Sequence, residues 1–369
     1  MESATLFILS FLLYPLLPPL PPPPSLLTLL NSHPHTLSIG STPLLPLPHL
    51  SSTLSCKIYL KDESKNPTGT SKDRIALSIL RSLLSLSPNL TSISEGTSGS
   101  TGIALANLCR IIGVECRIVM PDDQSERKVE LMREAGAKVR VVKTASISNP
   151  KNYVNLASKS PNFANQFNNP SNYKAHYTTT GPEILNDLKS LDTKPDIFVM
   201  SAGTGGTISG CGNYLKDTAS TKVVLADCEG SVLHSKITDG VAFTREMVER
   251  GVKLNRYDTI CEGIGLDRVT KNFDKGKIDG SHKIMDQEIV YMKRWIEKYE
   301  NINIGSSTAC NIVAVCREAK KGGVLVTVKC SLGEREDERI GCKEFVEGRG
   351  LRWEGFEEWF ESEFAGSSN

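Results

Sequence analysis

Short apolar runs alternate along most of the chain with segments whose apolar side chains recur every three or four residues. The short runs predict strands at residues 56–60, 115–120, 139–142, 196–201, 222–226 and 324–328. The helical spacing predicts helices at residues 72–86, 101–112, 126–135, 181–191, 208–215, 287–299 and 308–320. This alternation predicts a two-domain α/β fold, with parallel twisted sheets and helices on both faces. Ligands of such folds bind beyond the carboxyl ends of the strands.

Changes in composition divide the chain into four segments. We expect residues 57–170 to form an N-terminal α/β domain, and residues 171–335 with 36–56 to form a C-terminal one. Residues 336–369 are a divergent acidic tail, whose aromatic side chains predict an amphipathic helix packed on the body rather than a partner-binding tail. Residues 1–35 form an apolar, proline-rich leader or membrane anchor.

The leader carries Glu2 as its single charged residue and is almost wholly apolar over residues 5–17. That run is shorter than the roughly 20 residues that a spanning helix needs, and Pro15 interrupts it. It also lacks the basic start of a secretory signal and the arginines of a mitochondrial presequence. A short membrane anchor, an atypical targeting segment and a disordered leader remain as alternatives.

Charge and cysteine content narrow the classes of partner. The 369 residues include 43 Lys and Arg against 42 Asp and Glu, so no net field attracts a polyanion and a nucleic-acid partner is disfavoured. The ten cysteines include no Cys-x-x-Cys pair, and no Cys/His spacing suits zinc. We therefore expect buried or free thiols in a reducing compartment and no metal site.

A glycine-rich loop follows the apolar strand at 196–201 and opens the next helix. Its residues are Gly203, Thr204, Gly205, Gly206 and Thr207. Small residues let backbone N–H groups approach phosphate oxygens, and the helix N-terminus adds partial positive charge. The glycine pattern is not that of a dinucleotide fold, and no lysine follows as in a nucleotide P-loop, so the loop suits a phosphate monoester. The alternative is a glycine-rich turn without a ligand.

Two further segments carry candidate chemistry. Ser71 is a candidate N-cap that would place Lys72 in the first helical turn, where the positive helix end favours the neutral amine that Schiff-base chemistry requires. On this segment alone, the simpler interpretation is that Lys72 is one of many surface lysines. The hydroxyl-rich loop at 97–102 suits a carboxylate, with a polar capping turn as the alternative.

Together these segments resemble the fold-type-II pyridoxal-phosphate enzymes, above all the cysteine synthase and cystathionine β-synthase family, over roughly residues 57–335. The resemblance implies that Lys72 forms the Schiff base with pyridoxal 5′-phosphate and that the glycine-rich loop binds the 5′-phosphate. It implies that Ser306 bonds the pyridine nitrogen. Ser100 stands where most cysteine synthases carry an asparagine that bonds the phenolic oxygen of the cofactor. The residues implied to bind the substrate carboxylate are Thr97, Ser98, Gly99, Thr101 and Gln166.

The activity implied by this resemblance is β-replacement that makes L-cysteine from O-acetylserine and sulfide, in a homodimer. A serine at the pyridine nitrogen would leave that nitrogen unprotonated, which suits β-elimination. Similarity to the fungal cysteine synthase 2 group implies attachment to the mitochondrial outer membrane, with a cytoplasmic location as the alternative. Three other functions remain open: serine/threonine dehydratase activity, cystathionine β-synthase activity, and a cofactor-free, non-catalytic binding protein.

Overall fold

A computed structural model describes residues 24–243 and 259–365 of the chain. Its strands are β1 Leu44–Pro46, β2 Lys57–Asp62, β3 Ser92–Gly96, β4 Glu115–Pro121, β5 Lys138–Val142, β6 Ile197–Ser201, β7 Lys222–Cys228, β8 Gly280–Ile284 and β9 Val324–Lys329. Its helices are α1 Leu26–Ser32, α2 Pro34–Leu37, α3 Pro48–Thr53, α4 Lys72–Leu86, α5 Ser100–Ile112, α6 Glu126–Glu134, α7 Tyr153–Ala157, α8 Pro170–Ala175, α9 Gly181–Lys189, α10 Gly206–Ala219, α11 Leu233–Thr238, α12 Asp286–Tyr299, α13 Ser306–Glu318, α14 Lys343–Gly348 and α15 Phe356–Phe360. Single π-helical turns span His176–Thr180 and Glu361–Ala365.

The strands form two sheets. The larger has the order β1-β2-β9-β6-β7-β8 and is parallel except for β1, which pairs antiparallel with β2. The smaller has the order β3-β4-β5 and is wholly parallel. The prediction of an α/β fold with parallel sheets is confirmed.

Apolar side chains on both faces of the larger sheet and around the smaller sheet build three cores. On one face of the larger sheet, Val313 of α13 packs in a cluster with Val199 of β6. On the other face, Ile208 of α10 packs in a cluster with Phe198. Consecutive residues of β6 point to opposite faces, so this strand must be apolar throughout, which explains its continuous apolar sequence.

One predicted domain boundary is wrong. Residues 57–62 were expected to begin the N-terminal domain, but β2 lies in the larger sheet, where Lys57 is the register partner of Val324. The smaller sheet begins only at Ser92. The physical reason is that β2 pairs with a strand more than 260 residues later, a contact that local composition does not report.

The predicted leader is partly folded on the body. Residues 24–35 are described, and Leu30 of α1 is fully buried in the core of the smaller sheet with Leu105 of α5. Residues 1–23, which include the candidate membrane segment, lie outside the described residues. Within the part of the chain that is described, no helix is both long and apolar enough to cross a bilayer.

The aromatic tail packs against the core on one face of the larger sheet, as predicted, but it does not form one helix. Phe356, Phe360 and Phe364 are buried in the core that also contains Val313. The ring of Phe360 stacks on Trp295 of α12 with 4.4 Å between the centroids. Gly350 and Gly355, both with positive φ, separate α14 from α15 and interrupt the helix.

Candidate active site

A cleft with an empty volume of about 930 Å³ opens where strands of both sheets end. Thr97 follows β3, Ser201 ends β6 and Cys330 follows β9, and all three residues line the cleft. The position agrees with the rule that open parallel sheets bind ligands beyond the carboxyl ends of their strands.

Lys72 is the first residue of α4, and its side chain lines the cleft. Its Nζ lies 3.3 Å from Ser71 Oγ, and its backbone N–H donates to Thr70 Oγ1 at 3.4 Å. Burial lowers the pKa of Lys72 and outweighs the opposite effects of Cys330 and Glu63. Ser71 is the N-cap residue of this helix, as predicted, but its side chain makes no capping hydrogen bond; its backbone is already helical and its hydroxyl faces the lysine.

A buried ion cluster fixes the start of this helix. Arg74 Nε donates to Glu63 Oε2 at 2.7 Å, and Arg74 Nη1 donates to Glu183 Oε1 at 2.6 Å. Arg74 and Glu63 are 4% and 0% exposed, so both guanidinium edges are paired in a site with almost no water. The cluster joins the segment after β2 to α9 and thereby positions the turn that carries Lys72.

The hydroxyl loop at residues 97–102 joins β3 to α5 and is linked to Gln166. Thr101 Oγ1 donates to Gln166 Oε1 at 2.6 Å, while Gln166 Nε2 donates to the carbonyl of Gly96 at 3.0 Å. Glu95 is fully buried behind the loop and accepts from the backbone N–H of Gly96 at 2.9 Å and of Gln166 at 3.1 Å. Burial raises the pKa of Glu95 to about 8.

The glycine-rich loop at residues 203–207 leads into the 14-residue helix α10. The first N–H groups of a helix have no intrahelical partner, so they are available to an anion at this end. Asn172 Nδ2 donates to Thr204 Oγ1 at 2.8 Å, and Thr207 Oγ1 lies 3.1 Å from His176 Nε2. Burial lowers the pKa of His176 well below its usual range, which keeps a neutral imidazole beside Thr207.

Two glycines of this loop are required by close approach. A Cβ on Gly203 would come within 2.1 Å of the carbonyl oxygen of Gly263, and a Cβ on Gly206 within 1.8 Å of Asn172 Oδ1. Either clash is far inside van der Waals contact, so a side chain at these positions would displace the loop.

The N-terminus of α13 forms another part of the wall. Ser306 is fully buried, its Oγ accepts from the backbone N–H of Glu262 at 3.1 Å, and its own N–H donates to Glu336 Oε2 at 2.9 Å. The next residue, Ser307, lines the cleft. The assignment of Ser306 to the pyridine nitrogen stays a prediction, and Ser307 is a neighbouring candidate.

Most of the predicted site residues meet in this cleft, although they come from four separate segments of the chain. Gly99, Gly206 and Ser306 are the predicted residues that do not line it, and each adjoins a residue that does. The predicted residues that line the cleft are Lys72, Thr97, Ser98, Ser100, Thr101, Gln166, Gly203, Thr204, Gly205 and Thr207.

Several lining residues were not predicted. Ser201 and Cys330 could have been found, because each stands at the carboxyl end of a buried parallel strand. Lys128 lies on α6, and Arg335 and Glu336 lie in the turn where the C-terminal domain meets the tail. No motif marks these residues, and tertiary packing brings them to the cleft.

Comparisons with known proteins decide the family. Residues 35–330 match the family described as pyridoxal-phosphate dependent enzyme. A Schizosaccharomyces pombe protein named cysteine synthase 2 is 37% identical over 338 residues, covering 85% of this chain and 84% of that protein. A Neurospora crassa protein of the same name is 40% identical over 323 residues, covering 80% of this chain and 70% of that protein. This chain belongs to the pyridoxal-phosphate-dependent enzymes, in the cysteine synthase family.

Solved structures agree on the fold of this family member. A hydrogen sulfide-producing enzyme from Fusobacterium nucleatum is 29% identical, with a TM-score of 0.68 over 82% of this chain and 99% of that one. O-ureido-L-serine synthase is 26% identical, with a TM-score of 0.69 over 92% of this chain and 99% of that one.

The cleft of this pyridoxal-phosphate enzyme fits its cofactor. The amine of Lys72, whose pKa burial lowers, and the glycine loop that opens α10 lie on one cavity, which supplies a nucleophile for an aldehyde and N–H donors for a phosphate. Ser201 lines the same cavity, and its Oγ is a buried polar atom without a hydrogen-bond partner. Such an atom is costly unless a bound polar group satisfies it.

Proposed function

We propose that this chain makes L-cysteine from O-acetylserine and sulfide by β-replacement, with Lys72 holding pyridoxal 5′-phosphate as a Schiff base. The observation that carries the proposal is the meeting of three groups in one cleft: a lysine with a lowered pKa, a hydroxyl loop that hydrogen-bonds Gln166, and a glycine-rich loop at the N-terminus of α10. Similarity to the fungal cysteine synthases supports this substrate class.

Pyridoxal phosphate, when bound, stabilises negative charge at the α-carbon of an amino acid. Lys72 has two tasks. Its amine would hold the cofactor between turnovers, and when free it would serve as the general base for the α-proton of the substrate. Burial suits both tasks because each requires the unprotonated amine at neutral pH.

The substrate carboxylate has a matching site at the hydroxyl loop. Thr97, Ser98 and Thr101 line the cleft, and α5 begins at Ser100. A carboxylate there would accept hydroxyl and backbone hydrogen bonds and receive the partial positive charge of the helix end. Gln166 sits on the same wall and can donate once its amide turns from Gly96.

The proposal is tested with the full chain, supplied with pyridoxal phosphate and assayed for cysteine formed from O-acetylserine and sulfide. Borohydride reduction followed by peptide mapping should place the cofactor on Lys72. Lys72→Ala should lose both the label and the activity. Lys65→Ala is the matched control, because that lysine is exposed on the turn before the same helix. A label on another lysine, or none, would overturn the assignment.

The same preparation separates the other functions. Release of pyruvate or oxobutyrate without any need for sulfide would indicate a serine/threonine dehydratase. Cystathionine formed from serine and homocysteine would indicate cystathionine β-synthase activity. A protein that takes up no cofactor would indicate a non-catalytic binding protein.

We also propose a mitochondrial location, membrane attachment through the first 20 residues, and a homodimer. The support for location is a Saccharomyces cerevisiae relative, 39% identical over 320 residues and covering 80% of this chain, whose name describes a candidate mitochondrial cysteine synthase. Fractionation of cells that express the full chain or a chain starting at residue 24 tests attachment, and sedimentation velocity tests the dimer. Equal recovery of both chains in the soluble fraction would contradict the anchor.

A further inference from the structure

A fully buried histidine stands behind the glycine-rich loop. His176 begins the π-helical turn His176–Thr180, and both His176 and Thr180 are 0% exposed. Helix α10 packs tightly against this turn, because a Cβ on Gly210 would come within 2.7 Å of His176 Cβ. The imidazole is therefore held beside the start of α10. No part of the function proposed above uses it.

Both ring nitrogens of His176 are hydrogen-bonded to threonine hydroxyls. His176 Nδ1 lies 2.9 Å from Thr180 Oγ1, and His176 Nε2 lies 3.1 Å from Thr207 Oγ1. Thr180 follows His176 by four residues, a spacing at which helical side chains meet. Thr207 belongs to the glycine-rich loop and lines the cleft. These three side chains form a threonine–histidine relay that runs from the protein interior to the cleft wall.

The imidazole of the relay is neutral. Burial, with the charges of Arg74 and Lys72, lowers the pKa of His176 well below its usual range, and Glu183 opposes that shift. A neutral imidazole has one N–H group and one nitrogen lone pair. The ring must therefore donate to one of the two threonines and accept from the other.

The direction of the relay follows from where the Thr180 proton can go. Among the residues that the structure describes, His176 Nδ1 is the single hydrogen-bond partner of Thr180 Oγ1. If Thr180 donates to Nδ1, its proton is satisfied and His176 carries its own proton on Nε2. In the opposite direction the Thr180 proton would be buried without an acceptor, which is costly. The geometry therefore favours the tautomer with the proton on Nε2.

This tautomer decides what Thr207 offers to the cleft. The Nε2–H group of His176 donates to Thr207 Oγ1, so the Thr207 proton points away from the ring. Within the described part of the chain, Thr207 Oγ1 has no second hydrogen-bond partner to take that proton. A hydroxyl proton directed at a phosphate forms a charge-assisted hydrogen bond. The opposite tautomer would take the Thr207 proton and leave oxygen lone pairs facing the anion.

We propose that His176 is a positioning residue: with its proton held on Nε2 by Thr180, it obliges Thr207 to donate its hydroxyl hydrogen bond to the phosphate of the cofactor. The inference rests on the proposed function, because it requires the phosphate of pyridoxal phosphate at the glycine-rich loop. His176 itself need not touch the cofactor. The relay adds one directed donor to the N–H groups at the start of α10, and each hydrogen bond in it polarises the next.

The first test is the tautomer of His176, read by 15N NMR from the cofactor-free full chain labelled at its six histidines. His176 is identified as the ring whose signals change in Thr207→Val. The unaltered protein should show a protonated Nε2 and an unprotonated Nδ1. Thr180→Val keeps the side-chain shape without the donor and should populate both tautomers. Thr178→Val is the matched control and should change nothing, because that exposed hydroxyl donates to the carbonyl of Lys174 at 2.9 Å.

The second test compares two ligands that differ by the phosphate. Thr180→Val should raise the dissociation constant of pyridoxal phosphate about 2- to 12-fold and leave that of pyridoxal, which lacks the phosphate, unchanged. Thr180→Ser keeps the donor and should behave as the unaltered protein. In a Thr207→Val background, Thr180→Val should cause no further loss, because the hydroxyl through which it acts is gone.

Failure of the inference is distinct from failure of the proposed function. If borohydride labels Lys72 but Nδ1 of His176 carries the proton, the relay is wrong and the function stands. Equal weakening of pyridoxal and pyridoxal phosphate in Thr180→Val, or a further loss in the Thr207→Val background, would show that Thr180 acts on the fold and not on the phosphate. The tautomer in the unaltered protein remains decisive even if Thr180→Val does not fold.

Discussion

Gly206→Ala tests whether the glycine-rich loop binds the phosphate. The added methyl group would lie 1.8 Å from Asn172 Oδ1 and 2.5 Å from its Cγ, so the buried carboxamide has to move. Asn172 Nδ2 donates to Thr204 Oγ1 and to the carbonyl of Gln166, both at 2.8 Å. The change therefore disturbs the phosphate loop and the segment of Gln166 together.

The size of the effect follows from two terms. Overpacking of a buried site costs about 1–3 kcal/mol. Each hydrogen bond of Asn172 that is lost adds about 0.5–1.5 kcal/mol. If the overpacking cost of about 1–3 kcal/mol alone weakens cofactor binding, the dissociation constant of pyridoxal phosphate should rise about 5- to 150-fold.

The assay is a titration of the cofactor-free protein with pyridoxal phosphate, followed by absorbance. Gly280→Ala is the matched control, since a Cβ there meets nothing within 4 Å and its φ is not positive. Gly206→Ala with Asn172→Ala should recover part of the affinity, because the clash is removed. An unchanged dissociation constant in Gly206→Ala would refute the argument that this loop approaches the phosphate.

Two further changes test the supports of the site. Glu95→Gln would turn an amide NH₂ towards one of the backbone N–H groups from which Glu95 now accepts, at a cost of about 1–3 kcal/mol. Because one of these groups belongs to Gln166, KM for O-acetylserine should rise while cofactor affinity is unchanged. An unaltered KM would contradict this. Arg74→Met leaves the buried carboxylate of Glu63 without its cation, while Glu183 keeps its ion pair with Lys61. The change should therefore lower the free energy of unfolding by about 3–5 kcal/mol in denaturant titrations. By raising the pKa of Lys72 it should also move the pH midpoint of cofactor binding upward. A midpoint that stays or falls would show that these carboxylates do not act on the lysine.

The parts of the site that could be predicted from the sequence are those whose functional groups lie close together along the chain. The loops at 97–102 and 203–207 each follow a strand and open a helix, so their backbone groups and hydroxyls are already grouped along the chain. The strand–helix alternation predicted the parallel sheets for the same reason. Ser71 is the N-cap residue, as predicted, and Lys72 stands in the first turn; the missing side-chain capping bond could not be predicted, because it depends on backbone angles that in Ser71 are already helical.

The rest depends on contacts between distant segments. β2 joins β9, Lys128 reaches Glu262 across the cleft, and Glu336 reaches Ser306 from the tail. No periodicity or motif encodes such pairings, since each partner is unremarkable within its own segment. Polar side chains in an otherwise acidic or amphipathic stretch, as in Glu336, are expected to face water until packing shows otherwise.

The start of α4 keeps the charge of Arg74 apart from the amine of Lys72. Lys72 and Arg74 are two residues apart in one helical turn, yet only Lys72 faces the cleft. Arg74 points instead at Glu63 and Glu183, where its charge is matched by carboxylates. The negative charge of Glu63 by itself raises the pKa of Lys72. Its pairing with Arg74 therefore limits that effect, and burial of the lysine prevails.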